Sequence, residues 1–103
     1  MLGGLINRVR GNSMAPTLAD GDYVIGRRLS RRRPLRPGDI VVIDHPRYGR
    51  MVKRVATVDP DGSLTLKGDN AATVASVDIG RVQPKDVRNL VWFRVSPAGC
   101  HSL

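Results

Sequence analysis

Turn signals recur roughly every ten residues along this chain, and that spacing limits the folds it can adopt. Between the turns lie short runs rich in Val, Ile and Leu, which are typical of β-strands. Short strands joined by tight turns pack into a compact antiparallel sandwich or barrel, so we predict a mostly β fold. The turn signals are Asp20-Gly21-Asp22, Pro37-Gly38, Pro46-Arg47-Tyr48-Gly49, Asp59-Pro60-Asp61-Gly62, Gly68-Asp69-Asn70 and Gln83-Pro84-Lys85-Asp86.

The composition and the pattern of apolar residues support the same fold. All nine acidic residues are Asp and fourteen of the seventeen basic residues are Arg, so the surface helix formers Glu and Lys are scarce. The run Ile40-Val41-Val42-Ile43 is apolar on both faces and predicts a buried strand. The segments that we predict to be strands are residues 23–26, 39–44, 50–58, 63–67 and 87–95.

A chain of 103 residues has the size of one domain, so we expect a single domain over residues 1–103. Residues 1–10 form an N-terminal extension whose pattern fits a short amphipathic helix, a strand or the remnant of an anchor. Residues 27–37 contain six Arg and two Pro, which predicts an exposed and mobile loop. Residues 96–103 are expected to form a flexible tail.

The net charge of +8 predicts attraction to nucleic acid, to anionic lipid or to an acidic protein. The lone cysteine, Cys100, cannot form an internal disulfide and indicates neither a metal site nor a redox pair. No apolar run approaches the ~20 residues of a membrane span. We therefore expect a cytoplasmic or peripherally membrane-associated protein without a cofactor.

A tightly specified loop follows the N-terminal extension. Residues 11–18, the serine loop, read Gly-Asn-Ser-Met-Ala-Pro-Thr-Leu and carry neither a helical period nor a strand alternation. Such a loop has two interpretations: Ser13 is a local turn residue, or it is a functional hydroxyl. The choice depends on whether the chain supplies a base for Ser13.

Lys53 is a candidate for that base. In the predicted strand of residues 50–58, alternation places Lys53 on one face with Met51 and Val55. A lysine between apolar neighbours is either a surface residue of an amphipathic strand or a desolvated group with a lowered pKa, and the neutral amine of the latter can deprotonate a serine. His45, in a turn beside Pro46, and His101, in the tail, are less suitable.

Several motifs together resemble the type I signal peptidases, which are Ser–Lys endopeptidases. The resemblance covers most of the chain. It implies that the chain folds as the β catalytic core that these enzymes share with self-cleaving repressors. The small size is similar to that of members that mature nickel-type superoxide dismutase. The matching motifs are Gly11-Asn12-Ser13-Met14-Ala15-Pro16-Thr17-Leu18, Gly21-Asp22, Pro37-Gly38-Asp39-Ile40-Val41, Val52-Lys53-Arg54-Val55 and Gly68-Asp69-Asn70.

The resemblance implies a role for each matching residue. Ser13 would be the nucleophile and Lys53 the general base, with the backbone N–H of Ser13 donating to the oxyanion. The side-chain donor that some relatives carry two positions earlier is absent here, because Gly11 occupies that position. Ser76 would orient the lysine, with Thr73 as a substitute. Shallow substrate pockets would be lined by Met14, Leu18 and Val52, and Gly68, Asp69, Asn70 and Asp78 would be structural.

Three functions remain open from the sequence. The first is an endopeptidase that removes an N-terminal leader or signal segment from a precursor protein. The second is a self-cleaving repressor-like domain, although its Ala-Gly pair, Ala98-Gly99, lies downstream of the serine. The third is a basic nucleic-acid-binding barrel. Such barrels stack bases on aromatic side chains, and this chain has only four aromatic residues, so this function is less suitable. For the segment from Arg27 to Arg36 we expect an anionic membrane surface or an acidic protein as the partner.

Overall fold

The computed structural model describes residues 5–70 and 79–103, and it confirms a mostly antiparallel β fold. The segments predicted as strands all contain one. Ser76, Asp78 and Thr73 lie outside the described residues. The strands are β1 (Ile6–Arg8), β2 (Tyr23–Arg27), β3 (Ile40–His45), β4 (Gly49–Val58), β5 (Leu64–Lys67), β6 (Val87–Ser96) and β7 (Gly99–Ser102).

The strands form one sheet in the order β1-β2-β6-β3-β4-β5, and β7 adds to β6. Every pair is antiparallel, including β2–β6 and β3–β6, whose strands are not consecutive in the chain. The helical structure of the described residues is a single 3-10 turn, Pro84–Asp86, so none of their helices could cross a membrane.

The core has two parts, one on each face of β3. Ile40 and Val42 belong to a first cluster, and Val41 and Ile43 belong to a second. All four side chains are buried, which confirms the prediction from this doubly apolar run. The first cluster also contains Val9, Met14, Leu18, Val24 and Val91, and the second contains Val55, Leu64, Val82 and Val87.

The described residues at both ends of the chain pair with neighbouring strands. β7 pairs with β6 over four residues, so the prediction of a flexible tail over residues 96–103 is wrong. Gly99, with a φ of +120°, lies where this hairpin turns back. At the other end, β1 pairs with β2 and the side chain of Val9 is buried, so the described part of the N-terminal extension contains a strand.

The loop of residues 27–37, the arginine loop, is attached to the domain rather than fully exposed. Arg33 donates two hydrogen bonds of 2.9 Å to the carboxylate of Asp39 at the start of β3. Leu35 packs against the second cluster. Arg28, Arg31 and Arg32 are exposed, and none of them forms an ion pair with another described residue. The expectation of an exposed charged loop therefore holds only for part of this segment.

Candidate active site

The serine loop is a series of turns anchored by two buried side chains. The backbone N–H of Leu18 donates to the carbonyl of Met14 at 2.9 Å, which closes one turn. Met14 is 1% exposed and Leu18 is fully buried, and both pack in the first cluster. Leu18 therefore belongs to the core and not to the wall of a substrate pocket. Burial of both residues fixes the half-buried Ser13 just before them.

Residues 68–70 hold the serine loop from the other side. The backbone N–H of Asn70 donates to the carbonyl of Ser13 at 3.0 Å, and its side-chain Nδ2 donates to the carbonyl of Asn12 at 2.9 Å. Gly68 approaches so closely that a Cβ there would lie 2.5 Å from the carbonyl oxygen of Ser13. The glycine of this motif is thus required by the position of the Ser13 backbone.

Asp69 connects the serine loop to β4. Its carboxylate accepts 2.7 Å hydrogen bonds from Nε and Nη2 of Arg54, and a 2.6 Å hydrogen bond from the hydroxyl of Thr17. The hydrogen bonds from Arg54 are the main reason that the pKa of Asp69 lies below its ordinary value, although burial opposes them. Arg54 also donates to the carbonyl of Gly38 at 2.7 Å. The two parallel hydrogen bonds between Arg54 and Asp69 form a bidentate pair, which is a strong type of carboxylate contact.

Lys53 precedes Arg54 on β4 and faces the second cluster. It lies opposite Val41, and residues directly opposite in an antiparallel pair share a face. Its neighbours on that face, Met51 and Val55, both pack in the second cluster, as the alternation predicted. Burial disfavours the ammonium form and lowers the pKa of Lys53.

Ser13 and Lys53 meet at one pocket of about 180 Å³, which we name the Ser13–Lys53 pocket. It lies at the edge of β4 that β5 leaves open, because β5 pairs with β4 only from Arg54 onward. Val52 lines it as expected, and Met14 contributes its small exposed fraction. The described lining residues are Val9, Arg10, Ser13, Met14, Tyr48, Arg50, Met51, Val52 and Lys53.

The peptidase S24-like family model matches residues 4–87. The chain belongs to the peptidase S24-like family. This membership makes it a serine peptidase-type domain, either a protease or a self-cleaving domain. No curated protein and no solved structure matches it. The match includes the serine loop, all of β4 and the motif Gly68-Asp69-Asn70.

His45 is not placed to assist Ser13 in this S24-like domain. Its Nδ1 accepts from the backbone N–H groups of Arg47 and Tyr48, at 3.0 and 3.2 Å, which leaves Nε2 to donate to the carbonyl of Ile79 at 2.9 Å. Nδ1 therefore supports the β3–β4 turn, and Nε2 connects His45 to the distant Ile79. Among the described residues that line the pocket, Lys53 is the amine whose burial favours the neutral form.

Gly11 has a backbone role in this S24-like domain. Its N–H donates to Oδ1 of Asp20 at 2.7 Å, and its φ of +77° lies in the left-handed region that favours glycine. The Gly11 N–H is therefore already engaged and is unsuited to a second contact with an oxyanion. The Ser13 N–H remains the expected donor.

Sequence reasoning missed the charged rim of the pocket. Arg10, Tyr48 and Arg50 line it together with Ser13 and Lys53, yet they come from the N-terminal extension and from the β3–β4 hairpin. No apolar alternation marks Arg10 in the sequence, because the apolar Ile6 is exposed and the polar Asn7 is buried. The contribution of Tyr48 and Arg50 depends on strand pairing and has no local signature.

Proposed function

We propose that this S24-like domain is a Ser–Lys endopeptidase that cleaves an N-terminal leader or signal segment from a precursor protein. The observation that carries the proposal is the shared pocket of Ser13 and Lys53, in which burial lowers the pKa of the lysine. A serine hydroxyl is a weak nucleophile at its own pKa and needs an adjacent base. A neutral lysine meets that need without a histidine.

The proposed acylation proceeds in two proton transfers. Lys53 Nζ takes the proton of Ser13 Oγ while Oγ forms a bond to the scissile carbonyl carbon. The resulting oxyanion receives a hydrogen bond from the backbone N–H of Ser13. Lys53 then returns the proton to the leaving nitrogen as the C–N bond breaks, which leaves an acyl ester on Ser13.

Deacylation reverses the roles. A water molecule transfers a proton to Lys53 Nζ and forms a bond to the acyl carbon. The bond from that carbon to Ser13 Oγ then breaks, and the proton passes from Lys53 to Oγ. The pocket of about 180 Å³ suits a small side chain next to the scissile bond, in line with the Ala-x-Ala-like sites of signal peptidases that the resemblance implies.

Self-cleavage is the second candidate, because the family includes self-cleaving domains. The Ala98-Gly99 pair within this chain lies in the β6–β7 hairpin, where Ser96 pairs with Gly99. Cleavage there would require this hairpin to leave β6. We therefore favour a substrate supplied from another chain, such as a leader-bearing precursor of nickel-type superoxide dismutase.

The test is cleavage of an Ala-x-Ala preprotein and of an extended superoxide dismutase precursor by the purified chain. Ser13→Ala and Lys53→Met should each abolish cleavage and leave the unfolding midpoint near that of the unchanged chain. Two exposed residues provide matched controls: Ser102→Ala and Lys85→Met should cleave normally. Retained cleavage by either dyad variant would contradict the proposal.

The same samples separate cleavage of a second chain from self-cleavage. The chain is incubated alone at alkaline pH and its intact mass is followed. A constant mass, with cleavage of an added precursor, supports an endopeptidase. A new fragment that forms at a rate independent of protein concentration, and is absent in Ser13→Ala, would identify self-cleavage instead.

A further inference from the structure

The Ser13–Lys53 pocket continues into a larger groove of about 620 Å³. The two share four lining residues, two of which are Arg10 and Arg50. The groove lies between β1 and the first half of β4, and Arg8 lies on its β1 side. We name it the arginine groove, after Arg8, Arg10 and Arg50.

The position of the arginine groove suits an extended peptide. β1 pairs with β2 along one edge, and residues 50–53 of β4 pair with β3 along one edge. Within the described residues, the other edge of each segment has no strand partner. An extended peptide could therefore add to one of these open edges. If its scissile bond lies at Ser13, the peptide passes the arginines of the groove, whichever way its chain runs.

The described lining of the groove carries three arginines and one carboxylate, that of Asp44. Asp44 accepts from Nε of Arg50 at 2.9 Å and from Nη1 of Arg88 at 2.8 Å. The hydrogen bond from Arg50 is the largest cause of the lowered pKa of Asp44, so this carboxylate stays ionised and engaged. It is not available to neutralise the remaining two arginines.

Arg8 and Arg10 retain an uncompensated positive charge. Both are exposed and lie two residues apart on the exposed side of the β1 segment. In the described ranges neither of them forms an ion pair. Arg50 differs, because a 3.1 Å hydrogen bond to Oδ1 of Asn7 and its contact with Asp44 fix it across the groove.

We propose that the arginine groove is a carboxylate-recognition subsite, in which Arg8 and Arg10 select substrates with Asp or Glu close to the scissile bond. A guanidinium binds a carboxylate through two parallel hydrogen bonds, which gives specificity as well as attraction. Side chains two apart on an extended peptide share a face, as Arg8 and Arg10 do. Two acidic residues with one residue between them match this spacing best.

This inference rests on the proposed peptidase function, so its test has a cleavage arm and a binding arm. In the cleavage arm, three peptides share one Ala-x-Ala site and differ in the flanking pair: Glu-x-Glu, Gln-x-Gln or Lys-x-Lys. The unchanged chain should cleave the Glu peptide about tenfold better than the Lys peptide in kcat/KM, mainly through KM. The preference should weaken at high salt.

The variants assign this preference to residues. Arg8→Gln with Arg10→Gln should bring the Glu-to-Lys ratio close to one, and Arg8→Glu with Arg10→Glu should invert it. The control, Arg31→Gln with Arg32→Gln, removes the same charge from the arginine loop and should retain the ratio. Equal cleavage of the three peptides, or an unchanged ratio in the Arg8 and Arg10 variants, would overturn the inference.

The binding arm uses the Ser13→Ala variant and the same peptides with a fluorescent label. The Glu peptide should bind more tightly than the Lys peptide, and the difference should disappear in the triple variant with Arg8→Gln and Arg10→Gln. Selective binding without cleavage by the unchanged chain would refute the peptidase and retain the subsite. Cleavage without selectivity in either arm would refute the subsite alone.

Discussion

The serine loop and the arginine loop both connect strands irregularly, yet the domain holds them in different ways. An aspartate outside each loop accepts from one of its side chains: Asp69 from Thr17 of the serine loop, and Asp39 from Arg33 of the arginine loop. The serine loop is held in addition by main-chain hydrogen bonds from Asn70, by the close approach of Gly68 and by two buried side chains. The arginine loop has no fully buried residue, and its Leu35 packs only partly buried against the second cluster.

This difference indicates what each loop needs. A nucleophile must keep its place within a fraction of an ångström of its base, which requires contacts from several elements. A loop that presents charge needs only to remain attached to the surface. The number and direction of the contacts therefore fit the proposed role of the serine loop in the active site and the role of the arginine loop as a charged surface, although both loops contain turn residues.

The largest contrast should come from the two aspartates. Asp69→Ala removes the contacts to Arg54 and to Thr17, which lies 52 residues away in the sequence, and should lower the free energy of unfolding by about 2 kcal/mol. Asp39→Ala frees Arg33, whose side chain is similarly exposed, but it breaks only contacts within six residues and should cost less. Urea unfolding measures both values. Equal losses, or a larger loss for Asp39→Ala, would remove the distinction between the loops.

Gly68→Ala tests the position of Ser13 directly. The added methyl group would meet the carbonyl oxygen of Ser13 and displace this proposed nucleophile, which should reduce kcat/KM about 100-fold. Gly99→Ala is the control, since its added methyl meets nothing within 4 Å. Its positive φ can lower stability, but cleavage should continue. Full activity of Gly68→Ala would mean that the serine loop tolerates displacement.

Acid should weaken the attachment of the serine loop. Because the pKa of Asp69 is lowered in the folded chain, its stabilising contribution is complete above the ordinary aspartate pKa of about 3.9 and is lost as the pH falls below it. Asp69→Asn removes this contribution at every pH. The free energy of unfolding should therefore drop less between pH 5 and pH 2 in Asp69→Asn than in the unchanged chain, as urea titrations at each pH would measure. An identical drop would show that Asp69 is not the titrating attachment.

The smallest stability effect should come from the exposed part of the arginine loop. Arg31→Ser with Arg32→Ser should change the free energy of unfolding by less than about 0.5 kcal/mol. We propose that these residues bind an anionic membrane surface, so the same variant should bind phosphatidylserine vesicles more weakly, with a smaller salt dependence. Unchanged cosedimentation with vesicles would leave the loop as a solubilising surface.

Much of the fold follows from the sequence because local patterns determine it. The doubly apolar run Ile40 to Ile43 predicted a buried strand, and alternation placed Met51, Lys53 and Val55 on one face. The tail was misread because its residues are small and polar, and all four residues of β7 are exposed. Its order comes from hydrogen bonds to β6, which leave no local apolar pattern.

Only those residues of the candidate site that belong to a recognisable motif could be predicted from the sequence. Ser13 and Lys53 stood out, whereas the closeness of Gly68 to the Ser13 carbonyl depends on how two distant segments pack. Leu18 was expected in a pocket, and its complete burial reflects the turn that it shares with Met14. The pairing of Arg33 with Asp39 was also not predicted, because nothing in the run of arginines distinguishes the one that has an acidic partner.

The most direct test of the central claim is the titration of Lys53 beside the pH dependence of cleavage. The chain has three lysines, so the side-chain carbon signals of labelled lysine are few, and Lys53→Met identifies the one of interest. We expect Lys53 to titrate below the ordinary lysine pKa of about 10.4, and kcat/KM to rise with pH through that same midpoint. A Lys53 titration at the ordinary value, or a rate already constant well below the Lys53 midpoint, would contradict a lysine base.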